Sequence, residues 1–195
     1  MSLSRVVPLL QKGGIVVIPT DTIYGIIAKA FDRTAVKRLF EFRRASPRKP
    51  FVILIDSVSQ LKEFGITLNA AQRRFLRDVW PGKVSVVLSC PIKEFAYLHC
   101  GRKTLAFRLP NTKGLRTLLK KTGPLVAPSA NPEGMRPAET AAAARRYFGA
   151  RVDAYVGAGR MSGKPSTLVS FTGASPKVLR EGAVSLPSRF LPHPD

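Results

Sequence analysis

Acidic residues are scarce in this chain: 12 Asp and Glu stand against 32 Lys and Arg in 195 residues, a formal charge of +20. Histidine and cysteine are scarcer still, with only His99, His193, Cys90 and Cys100 present. Four such residues without ligand spacing make no zinc site, and no metal-ligating set is expected. His193 lies in a Pro-rich stretch, which leaves a Ser-His-Asp or Cys-His engine poorly supplied. No apolar run has the length of a membrane span, and the N-terminus shows no apolar h-region. A cytoplasmic protein with free thiols at Cys90 and Cys100 is therefore expected, with no membrane partner. The Gly-x-Gly-x-x-Gly fingerprint is missing too. Gly159 to Lys164 approaches a phosphate-binding loop, but its glycine spacing is one residue short and Pro165 follows the lysine.

Hydrophobic residues make up 45% and charged residues 23%, as in ordinary globular proteins. The length suits a single domain, read here as residues 1–186, with a loose Pro-rich tail over 187–195. The positive charge is spread along the chain, so a folded surface carries it. Nucleic acids, nucleotides and acidic membranes are the partners such a balance suits, and composition does not choose among them.

The pattern predicts a helix over 2–12 closed by Gly13-Gly14, then a buried strand over Ile15 to Ile18. Residues 20–25 read as a polar turn. Asp32 caps a helix running to about Arg44, and Phe51 to Ile55 is a strand. Ser57 with Gln60 suggests a capping box, and Asn69 caps a further helix that ends at Pro81-Gly82. Strands follow at 84–89 and 104–109, a helix at 112–122, and a short strand from Leu125 into Ser129. An Ala-rich helix over 137–148 precedes short strands at 152–156, 168–171 and 177–180. Strands alternate with helices except in the last third. This predicts an α/β fold with an open mixed sheet and helices packed on it.

Several residues stand out chemically. The run 124–134 delivers Ser129 and Asn131 to a turn at a strand's end, where α/β sheets bind ligands; a plain Ser-Asn-Pro-Gly turn is the alternative. Arg43 continues the inward stripe of Val36, Leu39 and Phe40, and an inward cation needs an anion. Arg44, Arg48 and Lys49 follow it, a set suited to phosphate. Thr20-Asp21-Thr22 offers two hydroxyls and a carboxylate, or simply a capped turn. Thr104 and Arg108 share one face of a strand, and an Arg so placed often holds a carboxylate. Basic outer faces on 69–79 (Arg73, Arg74, Arg77) and on 112–122 fit either RNA or plain solvation.

Seven segments taken in order resemble the YrdC/TsaC family of threonylcarbamoyl-AMP synthases. They are Pro19-Thr20-Asp21-Thr22-Ile23-Tyr24-Gly25, the basic cluster ending at Lys49-Pro50, Trp80-Pro81-Gly82-Lys83-Val84, Phe107-Arg108-Leu109-Pro110, Ser129-Ala130-Asn131, Ser166-Thr167-Leu168-Val169 and Leu179-Arg180-Glu181-Gly182. The resemblance runs from about Gly13 to Gly182. It implies an open twisted sheet around a positively charged cavity. It also implies a nucleotidyltransferase that makes threonylcarbamoyl-AMP and pyrophosphate from L-threonine, bicarbonate and ATP. Partner proteins would then transfer the threonylcarbamoyl group to adenosine 37 of tRNAs reading ANN codons. By position, Arg43, Lys49, Thr104, Ser129, Asn131 and Arg180 would hold ATP, with Mg²⁺ on its phosphates. Thr22, Arg108 and Ser166 would hold threonine. The chain departs from the family at three places. Arg43 and Ala45 take the places of a Lys and an Arg, so that Arg44 or Arg48 would have to substitute. Glu133 stands where Ser is usual and adds negative charge beside a nucleotide. The short run after Arg180 leaves no extra domain expected. An RNA-binding module on the same scaffold, with reduced catalysis, is the alternative reading.

Overall fold

The computed structural model describes residues 3–44, 46 and 49–190. Among the described residues, nine strands form one open mixed sheet: β1 (Val16–Pro19), β2 (Tyr24–Lys29), β3 (Val52–Leu54), β4 (Val84–Ser89), β5 (Thr104–Arg108), β6 (Leu125–Val126), β7 (Ala154–Tyr155), β8 (Thr167–Ser170) and β9 (Lys177–Arg180). Their spatial order is β7-β1-β2-β6-β3-β5-β4-β8-β9. The pairs β1·β7, β3·β5 and β4·β8 are parallel and the other five antiparallel. The helices are α1 (Val7–Gln11), α2 (Arg33–Arg43), α3 (Ala70–Val79), α4 (Ala96–His99), α5 (Lys113–Thr122) and α6 (Ala141–Phe148).

Side chains alternate across a strand, so a strand with helices on both faces must be apolar throughout. In β1, Val17 points into the larger core with Val36 and Leu39 of α2 and Phe75 and Leu76 of α3. Its neighbours Val16 and Ile18 point the other way, onto Leu10 of α1 and Leu115, Leu118 and Leu119 of α5. The polar faces of α3 and α5 remain outside, with Arg73, Arg74, Arg77, Lys113, Lys120 and Lys121 exposed.

Local signals account for the helix starts. The Asp32 carboxylate accepts from the Ala35 amide at 2.9 Å, and Asn69 forms a full capping box with Gln72. The expected Ser57 box is incomplete: Ser57 makes no cap bond, and Gln60 accepts instead from the Asp56 amide at 2.9 Å. Tyr24–Lys29 corrects the polar-turn reading of 20–25. Only Thr20 to Ile23 turn, and the chain re-enters the sheet at Tyr24, paired on both sides by β1 and β6. The short helical stretch over 93–99 was not anticipated. Of the segment from Pro187, Ser188–Phe190 forms a 3-10 turn, with the Phe190 ring edge-on to Phe75 at 4.8 Å. Residues 191–195 lie outside the described residues.

Candidate active site

The β1–β2 hairpin, the end of β5, the exit of β6, the start of β8 and the end of β9 meet around one cavity of about 250 Å³. Eight of the nine sequence-predicted site residues line it: Thr22, Arg43, Lys49, Arg108, Ser129, Asn131, Ser166 and Arg180. Thr104 does not. It shares a strand face with Arg108, as period two requires, but sits at the other end of β5, roughly 13 Å away at strand rise. Ala45 and Arg48 lie outside the described residues, and Arg44 is exposed just beyond α2.

Arg108 closes the deep end. The side chains of Arg108 and Asp21 are 6% and 3% exposed, and their ion-pair distance is 3.1 Å. Arg108 Nε and Asp21 Oδ2 have no hydrogen-bond partner. Burial pulls the guanidinium below its ordinary pKa, Asp21 pushes it back up, and the charge of Arg180 adds to the lowering. A buried cation with an unused donor is a receptor for an anion of matching shape.

Hydroxyls sit beside it. Thr20 donates its hydroxyl proton to the Ile23 carbonyl at 2.7 Å. In the 3.1 Å contact between Thr20 and Thr22, the proton must therefore come from Thr22. That leaves the oxygen of Thr22 as an acceptor toward the cavity. Ser166 and Ser85 share a buried hydroxyl contact of 2.8 Å, and Arg180 donates to the Ser166 carbonyl at 2.8 Å.

The opposite wall is a cross-braced pair of loops. Ser129 bridges to Gly25, the Ile26 amide donates to the Pro128 carbonyl, and the Ala130 amide donates to Tyr24. The Ser-x-Asn turn is thereby stitched to β2. Arg43 points inward as its helical position required. It stacks over Phe51 at 5.4 Å, and donates to the Asn131 carbonyl at 2.9 Å and the Ser129 hydroxyl at 3.3 Å. Asn131 donates to the carbonyls of Pro132 and Met135 at 2.7 and 2.8 Å, which leaves its buried Oδ1 without a donor. At the rim, Lys49 reaches Glu133 at 2.5 Å, and the Ser46 amide donates to the other oxygen of that carboxylate.

Two contributors went unassigned in the sequence. Asp21 was legible only as part of a polar turn, although an acid beside a strand end is unusual in so basic a chain. Tyr24 falls within the expected polar turn. Its buried hydroxyl donates to the Gly159 carbonyl at 2.7 Å and accepts from the Ala158 amide at 2.8 Å, fixing the exposed 157–164 segment beside the site. Among the described residues, no group of three His, Cys, Asp or Glu could hold a metal.

A family model described as Telomere recombination (Sua5, yciO, yrdC) matches residues 8–182. The threonylcarbamoyl-AMP synthase of Thiobacillus denitrificans is 34% identical over 175 residues, covering 88% of this chain and 90% of that one. YciO of E. coli superposes with a TM-score of 0.85 at 25% identity, covering 97% of this chain and 92% of that structure. P. abyssi Sua5 complexed with L-threonine superposes with a TM-score of 0.84 at 28% identity, over 92% of this chain. This chain spans about half of the Sua5 chain, 54% of it. The family model spans most of the sequence, and the relatives and superposed structures cover nearly all of it: this chain belongs to the Sua5/YciO/YrdC family.

Proposed function

We propose that this protein is an L-threonylcarbamoyladenylate synthase, converting L-threonine, bicarbonate and ATP into threonylcarbamoyl-AMP and pyrophosphate in the cytoplasm. Threonylcarbamoyl transferase proteins then carry the product to tRNA. The convergence of Arg108 with Arg43, Lys49, Ser129, Asn131 and Arg180 on one cavity supports this reading most directly. The threonine carboxylate pairs with Arg108. Thr22, with only acceptor capacity left, takes an N–H of the threonine amine, and Ser166 closes that side. Phosphate oxygens accept hydrogen bonds and do not donate them, so the orphan Oδ1 of Asn131 faces the ribose or base of ATP. Arg43, Lys49 and Arg180 then face its phosphates.

The amine attacks the carbon of bicarbonate, with loss of water, to give a carbamate. A carbamate oxygen attacks the α-phosphorus, the α–β phosphoanhydride bond breaks, and pyrophosphate leaves. The chain's part is to hold the reactants in line and cancel phosphate charge. Mg²⁺ suits this site as a companion of the triphosphate. Among the described residues lining the cavity the carboxylate is Glu133, engaged by Lys49 and Ser46, so the phosphate oxygens and water would supply the ligands of the ion.

The test is pyrophosphate release from ATP. Release that requires both threonine and bicarbonate supports the proposal; release indifferent to threonine refutes it. A second reading, RNA binding with reduced catalysis, is favoured by the exposed row Arg73, Arg74 and Arg77 and by the charge of +20. RNA affinity without threonine-dependent release selects it.

A further inference from the structure

We propose that Glu133 is an internal competitor for the triphosphate, occupying the Lys49 ammonium and the Ser46 amide until ATP displaces it, and so sets the nucleotide affinity of this site. The inference rests on the ATP-dependent reading above. Both donors that Glu133 holds are of the kind that cradles phosphate, an ammonium and a backbone N–H. The carboxylate cannot swing away with its backbone, because the Glu133 amide donates to the Arg43 carbonyl at 2.7 Å at the end of α2. The same α2 end carries the Arg43 side chain to Ser129 and Asn131. The end of α2, with Ser46 and Lys49, and the turn carrying Glu133 are thus already joined through a negative charge. An incoming polyanion meets that charge and must take over its partners. Lys49 is 70% exposed and Glu133 26%, so the exchange needs only side-chain rotation at the rim.

Glu133→Gln keeps an oxygen to accept the Ser46 amide and removes the charge. Glu133→Ser removes both. ATP affinity is read by calorimetry on the full chain, with thermal unfolding as the check on folding. The expected result is about fivefold tighter ATP binding for Glu133→Gln, the scale of one rim ion pair. Lys49→Met should then weaken ATP binding more in the Glu133→Gln background than in the wild type, because in the wild type the phosphate gains the ammonium only at the expense of the Glu133 pair. A wild type that binds ATP, with Glu133→Gln binding it no tighter, overturns the competitor role and leaves the synthase reading standing. Tighter binding by Glu133→Ser alone also overturns it, because the pinned loop and not the charge would then be the obstacle. Absence of ATP binding in all three proteins overturns both.

Discussion

The Asp21 carboxylate lies 3.1 Å from the Arg108 guanidinium, and both side chains are almost wholly buried. Removing one partner of such a pair strands the other charge away from water. Asp21→Ala should therefore lower unfolding stability by about 3 kcal/mol. Urea denaturation at neutral pH measures this, and a loss below about 1 kcal/mol would show that solvent already reaches Arg108.

Arg108→Ala should raise the KM for threonine on the order of 30-fold, about 2 kcal/mol for a charge-assisted contact, and move the KM for ATP far less. Steady-state pyrophosphate release with each substrate varied in turn separates the two. Equal damage to both constants would remove Arg108 from its assigned place.

Gly182 lies where the chain leaving β9 passes over the start of β8. A Cβ there would come within 2.4 Å of the Pro165 carbonyl oxygen and the Thr167 amide. The neighbouring Ala183 amide donates to Pro165, and Thr167 is bonded to Val184, so neither backbone has room to retreat. Gly182→Ala should displace Arg180 from the Ser166 carbonyl and depress ATP affinity, although residue 182 carries no functional group. Calorimetry showing unchanged ATP binding in a folded Gly182→Ala protein would refute this coupling.

The buried hydroxyl of Tyr24 bonds both the Gly159 carbonyl and the Ala158 amide. Tyr24→Phe should release the 157–164 segment and cost about 1–2 kcal/mol. Hydrogen exchange should accelerate in that segment and not in β1 or β5. Uniform acceleration would mean that Tyr24 supports the core generally, and no change would mean that the loop is held by other contacts.

Short-range rules singled out Arg43, Lys49, Arg108, Ser129 and Asn131 because they lie at or near the ends of regular elements, whereas Ser166 and Arg180 followed only from the family resemblance. The stripe Val36, Leu39 and Phe40 placed Arg43 inward, and the caps at Asp32 and Asn69 fixed where helices begin. Strand periodicity gave Arg108 and Thr104 the same face but not the same location, since a sheet face extends the full length of the strand. β2 escaped notice because Thr20 to Gly25 is rich in turn formers, and its strand state depends on pairing with β1 and β6. The Asp21–Arg108 pair is a product of topology. The hairpin and β5 are distant in sequence, and no local pattern specifies that they converge.

Acid should act on Glu133 in a definite direction. Its hydrogen bond from Lys49, then that from Ser46, hold its carboxyl below the ordinary value of 4.5. A carboxyl whose folded pKa is depressed binds protons more readily in the unfolded chain, so its contribution is complete above the unfolded value. It fades as pH falls through the lower folded one. Wild type should therefore lose melting temperature more steeply below about pH 4.5 than Glu133→Gln, whose side chain does not titrate. High salt should narrow the difference, because the pair is at the rim where ions screen it. Melting curves that fall in parallel for the two proteins from pH 7 to 3 would mean that the Lys49–Glu133 contact contributes nothing in solution, and the link between the end of α2 and the turn carrying Glu133 would rest on the Ser46 and Arg43 contacts.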